Sequence, residues 1–255
     1  MQHHLVCLQL INIHLMTLKT VLLVGLLTSF SFRIHAQTAD EIINQCVRYT
    51  GGAAAWKKIQ TLVSEGTYNY GGLEFPFKSY SKRPYQYKYI VPFKGKYFAQ
   101  AYDGKQGWKI DAFNGETKKT RLTGKAALAM ANEADPELES PLINYKTKGH
   151  RAVLEGSDTV QGITCYKLKL TRKNGEEETL FFSNQDYSLL KKRAVSKNAE
   201  LKNSLLDTYY SDYQEVHGVK IPFTTLSRDN DQVILTIKIK KADVNVPVAD
   251  AEFAF

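Results

Sequence analysis

The chain has 255 residues, of which 43% are hydrophobic, 24% charged and 11% aromatic, and its formal net charge is +8. Those proportions exclude a disordered chain, a collagen-like repeat and a multi-span membrane protein, and the length suffices for a sizeable core without covalent staples. Three cysteines are too few for a disulfide scaffold or a four-thiolate zinc module, and no cofactor is expected.

At the N-terminus, Lys19 precedes an apolar run from Val21 to Phe32, and Ile34-His35-Ala36 ends it with a small residue. A basic start, a short apolar stretch and a small-residue exit describe a secretory signal peptide, and the run is short of the ~20 residues that cross a bilayer. Residues 1–36 are therefore expected to be removed near Ala36/Gln37. Met16 is the expected initiator, with 1–15 upstream of it, and residues 37–255 are expected to form a single exported domain. That domain keeps a basic surplus, which is either a solvated surface or an attraction to anionic lipid headgroups. Cys46 and Cys165 could pair in an oxidising compartment, but no spacing pattern supports it, so the pairing stays open.

Thr38-Ala39-Asp40-Glu41 reads as a helix start, with a capping hydroxyl and acids in the first turn. Ile42, Ile43, Cys46, Val47 and Tyr49 form one apolar stripe, and Gly51-Gly52 ends the helix. A second short helix is expected from Ala53 to Ile59, with Trp56 facing the core. After Thr61 the period becomes two: Tyr85, Tyr87, Tyr89 and Val91 alternate with Gln86, Lys88 and Ile90, and similar runs follow at Tyr166–Leu170 and Val233–Ile239. Such strands have one buried and one wet face, as in antiparallel sheets. Turn pairs including Gly71-Gly72, Lys94-Gly95, Asn114-Gly115 and His217-Gly218 separate them at short intervals, predicting ten to twelve strands. Between them, Lys125 to Glu133 is Ala-rich and helical in propensity, and Asp135-Pro136 stops it.

Catalytic candidates are sparse. No GxSxG, HExxH, CxxC, GxGxxG or phosphate-binding loop occurs in residues 37–255, and the two histidines there, His150 and His217, each sit in a turn. Tyr and Lys interleave over residues 85–89 but point to opposite faces of a strand, which argues against a nucleic-acid platform. Arg83 shares the face of Tyr85, Tyr87, Tyr89 and Val91. It is either held among aromatics by a polar partner or reaches water at a frayed strand end.

Lys82-Arg83-Pro84, then Asp103-Gly104-Lys105-Gln106-Gly107-Trp108, then the hairpin Asp212-Tyr213 through Val216, Gly218, Val219 and Pro222, and finally Phe253-Ala254-Phe255, resemble in order and spacing the periplasmic LolA-like family of outer-membrane lipoprotein-sorting carriers. The resemblance implies a mainly β fold: a single curved antiparallel sheet forming an unclosed β-barrel of about eleven strands, covered by α-helices. It implies an apolar hollow for acyl chains, with Arg83 as the latch to a helical lid over Lys125 to Glu133, its acceptors expected within Leu122 to Ile143. The expected lining is Tyr85, Tyr87, Tyr89, Val91, Trp108, Leu128 and Met130. The implied function is a non-enzymatic periplasmic carrier or sensor of lipidated cargo. The partners would be lipoprotein acyl chains or lipid, with inner- or outer-membrane acceptor proteins, no nucleic acid, and a monomeric state. A protein-docking or structural module on the same fold is the alternative, and a secreted hydrolase the weaker one.

Overall fold

Local chemistry starts the fold where the sequence places it. In this computed structural model, which describes residues 37–124, 126–127, 130–131, 138, 140–196 and 204–255, helix α1 (Ala39–Tyr49) opens on a capping box. The Glu41 N–H donates to Thr38 Oγ1 at 3.2 Å and the Thr38 N–H to Glu41 Oε2 at 2.8 Å. Gly51 and Gly52, both at positive φ, turn the chain into α2 (Ala53–Lys58). Gly51 cannot be replaced cheaply, because a Cβ there would lie 2.3 Å from the Gly218 carbonyl oxygen.

Thirteen strands follow: β1 (Thr61–Tyr70), β2 (Leu73–Lys82), β3 (Gln86–Phe93), β4 (Lys96–Tyr102), β5 (Gly107–Asp111), β6 (Glu116–Arg121), β7 (Arg151–Val160), β8 (Ile163–Thr171), β9 (Glu177–Ser183), β10 (Leu189–Val195), β11 (Leu205–Val216), β12 (Val219–Asp229) and β13 (Gln232–Val244). They make one antiparallel sheet in the order β6-β5-β4-β3-β2-β1-β13-β12-β11-β10-β9-β8-β7. The order is linear, with β6 and β7 as its two edges, so the sheet is not closed into a barrel. Two meanders thus meet along a central seam, where Leu62 faces Val244 and Tyr70 faces Leu235. The count exceeds the expected eleven partly because β6 is exposed along its whole length and carries no alternating hydrophobic signal.

At the seam the register shifts between Glu65 and Gly66, so that Ile239 and Ala242 on β13 both face the helices. Gly66 permits it: a Cβ there would stand 1.9 Å from the Lys238 carbonyl oxygen.

The helices define the two faces of the sheet. On the inner face, α1 buries Ile42, Ile43 and Cys46 against Leu168, Leu170, Leu180 and Phe182, while α2 sets Trp56 and the following Ile59 against Leu62, Val219, Ile221, Phe223 and Val244. Leu138, Leu142, Ile143 and Tyr145, from the connection between β6 and β7, join these clusters. The outer face of β2–β6 is crossed by the C-terminal residues. Phe253 is 0% exposed, Lys82 Nζ donates to the Val248 carbonyl and to Asp250, and Lys88 Nζ pairs with Glu252 at 2.7 Å.

Cys46 and Cys165 are both buried and free. Cys46 packs on the inner face and Cys165 on the outer one with Val160 and Phe181, so the sheet separates them. Burial pushes the Cys46 thiol up to about 12. Among the described residues no helix is long and apolar enough to cross a membrane. The expected signal peptide lies outside the described residues.

Candidate functional site

Cross-strand pairing assigns each strand residue to a face, because directly opposed residues share one. Leu62 on the inner face is opposite Ser81, which is opposite Tyr87, and Ser64 is opposite Ser79, which is opposite Tyr89. Tyr87, Tyr89 and Val91 therefore lie on the inner face, and Lys88 lies on the outer one with its ion pair. Phe98, opposite Val91, and Phe75, opposite Tyr68, extend the same wall. Ring pairs recur among them: Tyr68–Tyr70 stacked at 6.3 Å, Tyr87–Tyr89 at 6.0 Å, Tyr89–Phe98 at 5.7 Å and Phe75–Phe113 at 6.4 Å. Most of these rings are only half-buried. An apolar surface of this kind, presented by adjacent strands, suits hydrocarbon.

Arg83 sits at the lower end of that wall, between β2 and β3. Its Nε donates to the Ile59 carbonyl at 2.8 Å, and its Nη2 donates to the carbonyls of Trp56 at 3.3 Å and Leu138 at 3.1 Å. The first two acceptors lie where α2 ends: the Trp56 carbonyl also accepts from the Ile59 N–H at 3.1 Å, and carbonyls at a helix end favour a cation. The third belongs to the chain between β6 and β7. One planar fork thus ties the sheet, the end of α2 and the covering connection together. Leu138 lies in the segment expected to be latched, whereas Trp56 and Ile59 were not foreseen. A signal for them was there: carbonyls at a helix end favour a cationic donor, and α2 stops at Lys58, next to Ile59.

Two of the expected lining residues fall elsewhere. Tyr85 is not in β3: it sits in the turn before it with φ +57° and is 56% exposed, because Pro84 delays the strand by one residue. Trp108 is opposite Ala101, which is opposite Lys88, so it belongs to the outer face. There its indole N–H donates to the Phe253 carbonyl at 2.8 Å and Lys119 Nζ lies 4.4 Å from its ring. Leu128, like most of the expected lid, lies outside the described residues. Met130 is helical and 2% exposed.

The inner face changes character across the seam. Leu168, Leu170 and Leu180 are apolar, but beside them stand Arg172, Glu178, Lys192, Thr208, Tyr210 and Ser227. Arg172 Nη2 donates to both Glu178 carboxylate oxygens, at 3.0 and 3.2 Å. No signal short of knowing the strand register would have gathered these residues from four strands and the turn after β8.

His150 Nδ1 accepts from the Lys173 N–H at 3.1 Å, and His217 is exposed in the β11–β12 turn. Among the described residues no group of three His, Cys, Asp or Glu side chains is arranged to hold a metal ion.

No family model matches the sequence, and no curated protein does. Solved structures do. A putative outer-membrane lipoprotein-sorting protein domain from Vibrio parahaemolyticus superposes with a TM-score of 0.56 at 11% identity, over 84% of this chain and 95% of that one. A DUF1329 family protein from Desulfovibrio piger gives 0.55 at 18% identity, again over 84% and 95%. A LolA superfamily protein from Nitrosomonas europaea gives 0.52 at 14% identity, over 86% and 99%. The chain therefore has the fold of LolA superfamily and outer-membrane lipoprotein-sorting domains, the fold its motifs resembled.

Proposed function

We propose that this protein is an exported, non-enzymatic carrier or sensor that takes the acyl chain of a lipid or lipoprotein onto the inner face of its sheet, in the periplasm. The observation that carries the reading is the half-buried aromatic wall from Tyr68 to Phe98, with the Arg83 tie at its foot. Burying one CH₂ contributes ~0.8 kcal/mol, so a long acyl chain could supply on the order of 10 kcal/mol before ordering costs. A carrier must also let go. A polar tie that favours the closed, empty form opposes retention, and Arg83 is placed for that role. The lipoprotein-sorting description of the Vibrio structure is in keeping with this use of the fold, although fold alone does not decide function.

Native mass spectrometry of protein purified from an envelope fraction tests the proposal. A bound lipid or acylated polypeptide supports it, and recovery of only the bare chain, with no uptake of added lipid, overturns it.

A second reading has its own observation. The outer face carries a cavity of about 820 Å³ floored by Ile90, Ala99, Trp108 and Ile110 and rimmed by Lys88 and Lys119. That groove would suit a docking or structural module, and a stoichiometric unlipidated protein in the same spectra would favour it.

A further inference from the structure

The two halves of the inner face differ in chemistry. One half, on β1–β4, is aromatic. The other, on β8–β12, holds charged and hydroxyl groups within an otherwise apolar surround. Arg172 follows β8 and Glu178 lies on β9. Lys192 on β10 is opposite Leu180 on one side and Thr208 on the other, and Thr208 is opposite Ser227, their hydroxyls 3.3 Å apart. Tyr210 stands two residues along from Thr208 on β11.

Charge within this group does not balance. Glu178, 6% exposed, is already engaged by Arg172. Lys192 adds a second cation on the same face. Its ammonium is held in the charged form chiefly by the neighbouring Tyr210 and next by Glu178, against the opposing effect of burial. Arg172 Nε, moreover, is buried and has no acceptor. A buried donor without a partner and a surplus cation are both unfavourable in an apolar setting, and an anionic oxygen would relieve both.

We propose that Lys192 and Arg172 form a headgroup subsite for an anionic amphiphile, whose carboxylate or phosphate oxygens accept from Lys192 Nζ and Arg172 Nε while its tail crosses the seam to the aromatic wall. This rests on the reading of the inner face as an acyl-chain site and deepens it by naming the ligand class. From β10 to β1 is four strand spacings, or about 19 Å along the sheet, a span that an extended acyl chain can bridge. Thr208, Tyr210 and Ser227 line the polar half and offer hydroxyls to the same headgroup.

The test uses ligands that share one tail long enough for that span: palmitate, hexadecyl phosphate and the uncharged hexadecanol, each titrated against a fluorescent acyl probe bound to the whole protein. The expected result is that at least one anionic ligand binds about tenfold or more tighter than hexadecanol, the size of one charge-assisted hydrogen bond. Whichever anion binds tighter names the headgroup. Lys192→Met should remove most of that preference. Arg172→Lys, which keeps a cation beside Glu178 but loses Nε, should weaken the anions by several-fold and leave hexadecanol unaffected. Equal affinity for all three ligands in the wild type overturns the subsite and leaves the acyl site standing. A parallel loss for all three in Lys192→Met also overturns it, since that pattern marks a structural role. Failure of hexadecanol and both anions to bind overturns the acyl-chain reading itself.

Discussion

Arg83 shows how one side chain can set a balance between two states. Its three carbonyl acceptors come from α2 and from the chain between β6 and β7, so the tie exists only while these are seated on the sheet. Arg83→Leu should preserve the fold, because Leu suits an apolar wall, but lower the stability of the empty protein by about 2 kcal/mol, or roughly 4–8 °C in Tm. Bound acyl cargo should then leave more slowly, which stopped-flow transfer to acceptor vesicles would measure; release at the wild-type rate would show that the tie has no part in unloading. Arg83→Lys should rescue poorly, since an ammonium cannot span carbonyls on two elements in a fixed plane. A second residue governs the response to acid. Asp207 is largely buried, which by itself would raise its carboxyl, but the Arg193 fork at 2.6 Å from each oxygen prevails and holds it below the usual carboxylate value of 3.8. A depressed folded-state pKa gives stability that is present above 3.8 and is lost as pH falls through the lower folded value. Acid unfolding should therefore lose part of its steepness in that range in Asp207→Asn, and an unchanged acid transition would rule this contribution out.

The elements that were legible in the sequence are those whose signals are local. The capping box at Thr38, the Gly51-Gly52 stop, the period-two run of Tyr87, Tyr89 and Val91 and the turn pairs all read directly into structure, because each is decided within a few residues. What was not legible depends on partners distant in sequence. Trp108 looks like any strand aromatic until its register with Ala101 and Lys88 sets it on the outer face, and the Arg172–Glu178–Lys192 group exists only once β8, β9 and β10 are side by side. The C-terminal segment belongs to the same class. Read in sequence, Phe253 is a terminal aromatic; in the fold it is wholly buried, with Trp108 bonded to its carbonyl and Lys119 bonded to that of Ala254. Phe253→Ala should accordingly cost about 3–5 kcal/mol, a core value at a chain end. It should also shift the emission of Trp108 to the red as the outer face opens to water. Blue emission and a wild-type melt would mean that the segment is dispensable.

For the whole molecule, the export reading makes a simple demand: Edman sequencing of the protein recovered from cells should begin at or near Gln37, and a soluble cytoplasmic product that retains residues 1–36 would contradict it. The strand order has a separate consequence for how the chain comes to be folded. Every other pairing in the sheet joins strands that follow one another along the chain, but β1 has β13 as one of its two neighbours. Each meander can assemble from local hairpins, whereas the seam between them must close a loop that contains almost the whole domain, a contact that is slow and entropically costly to reach. Until β13 has been made, β1 presents a bare edge and Gly66 has no backbone to approach. The sheet is thus finished by its last strand, and a chain emerging from the ribosome stays incomplete, and therefore threadable, up to that point.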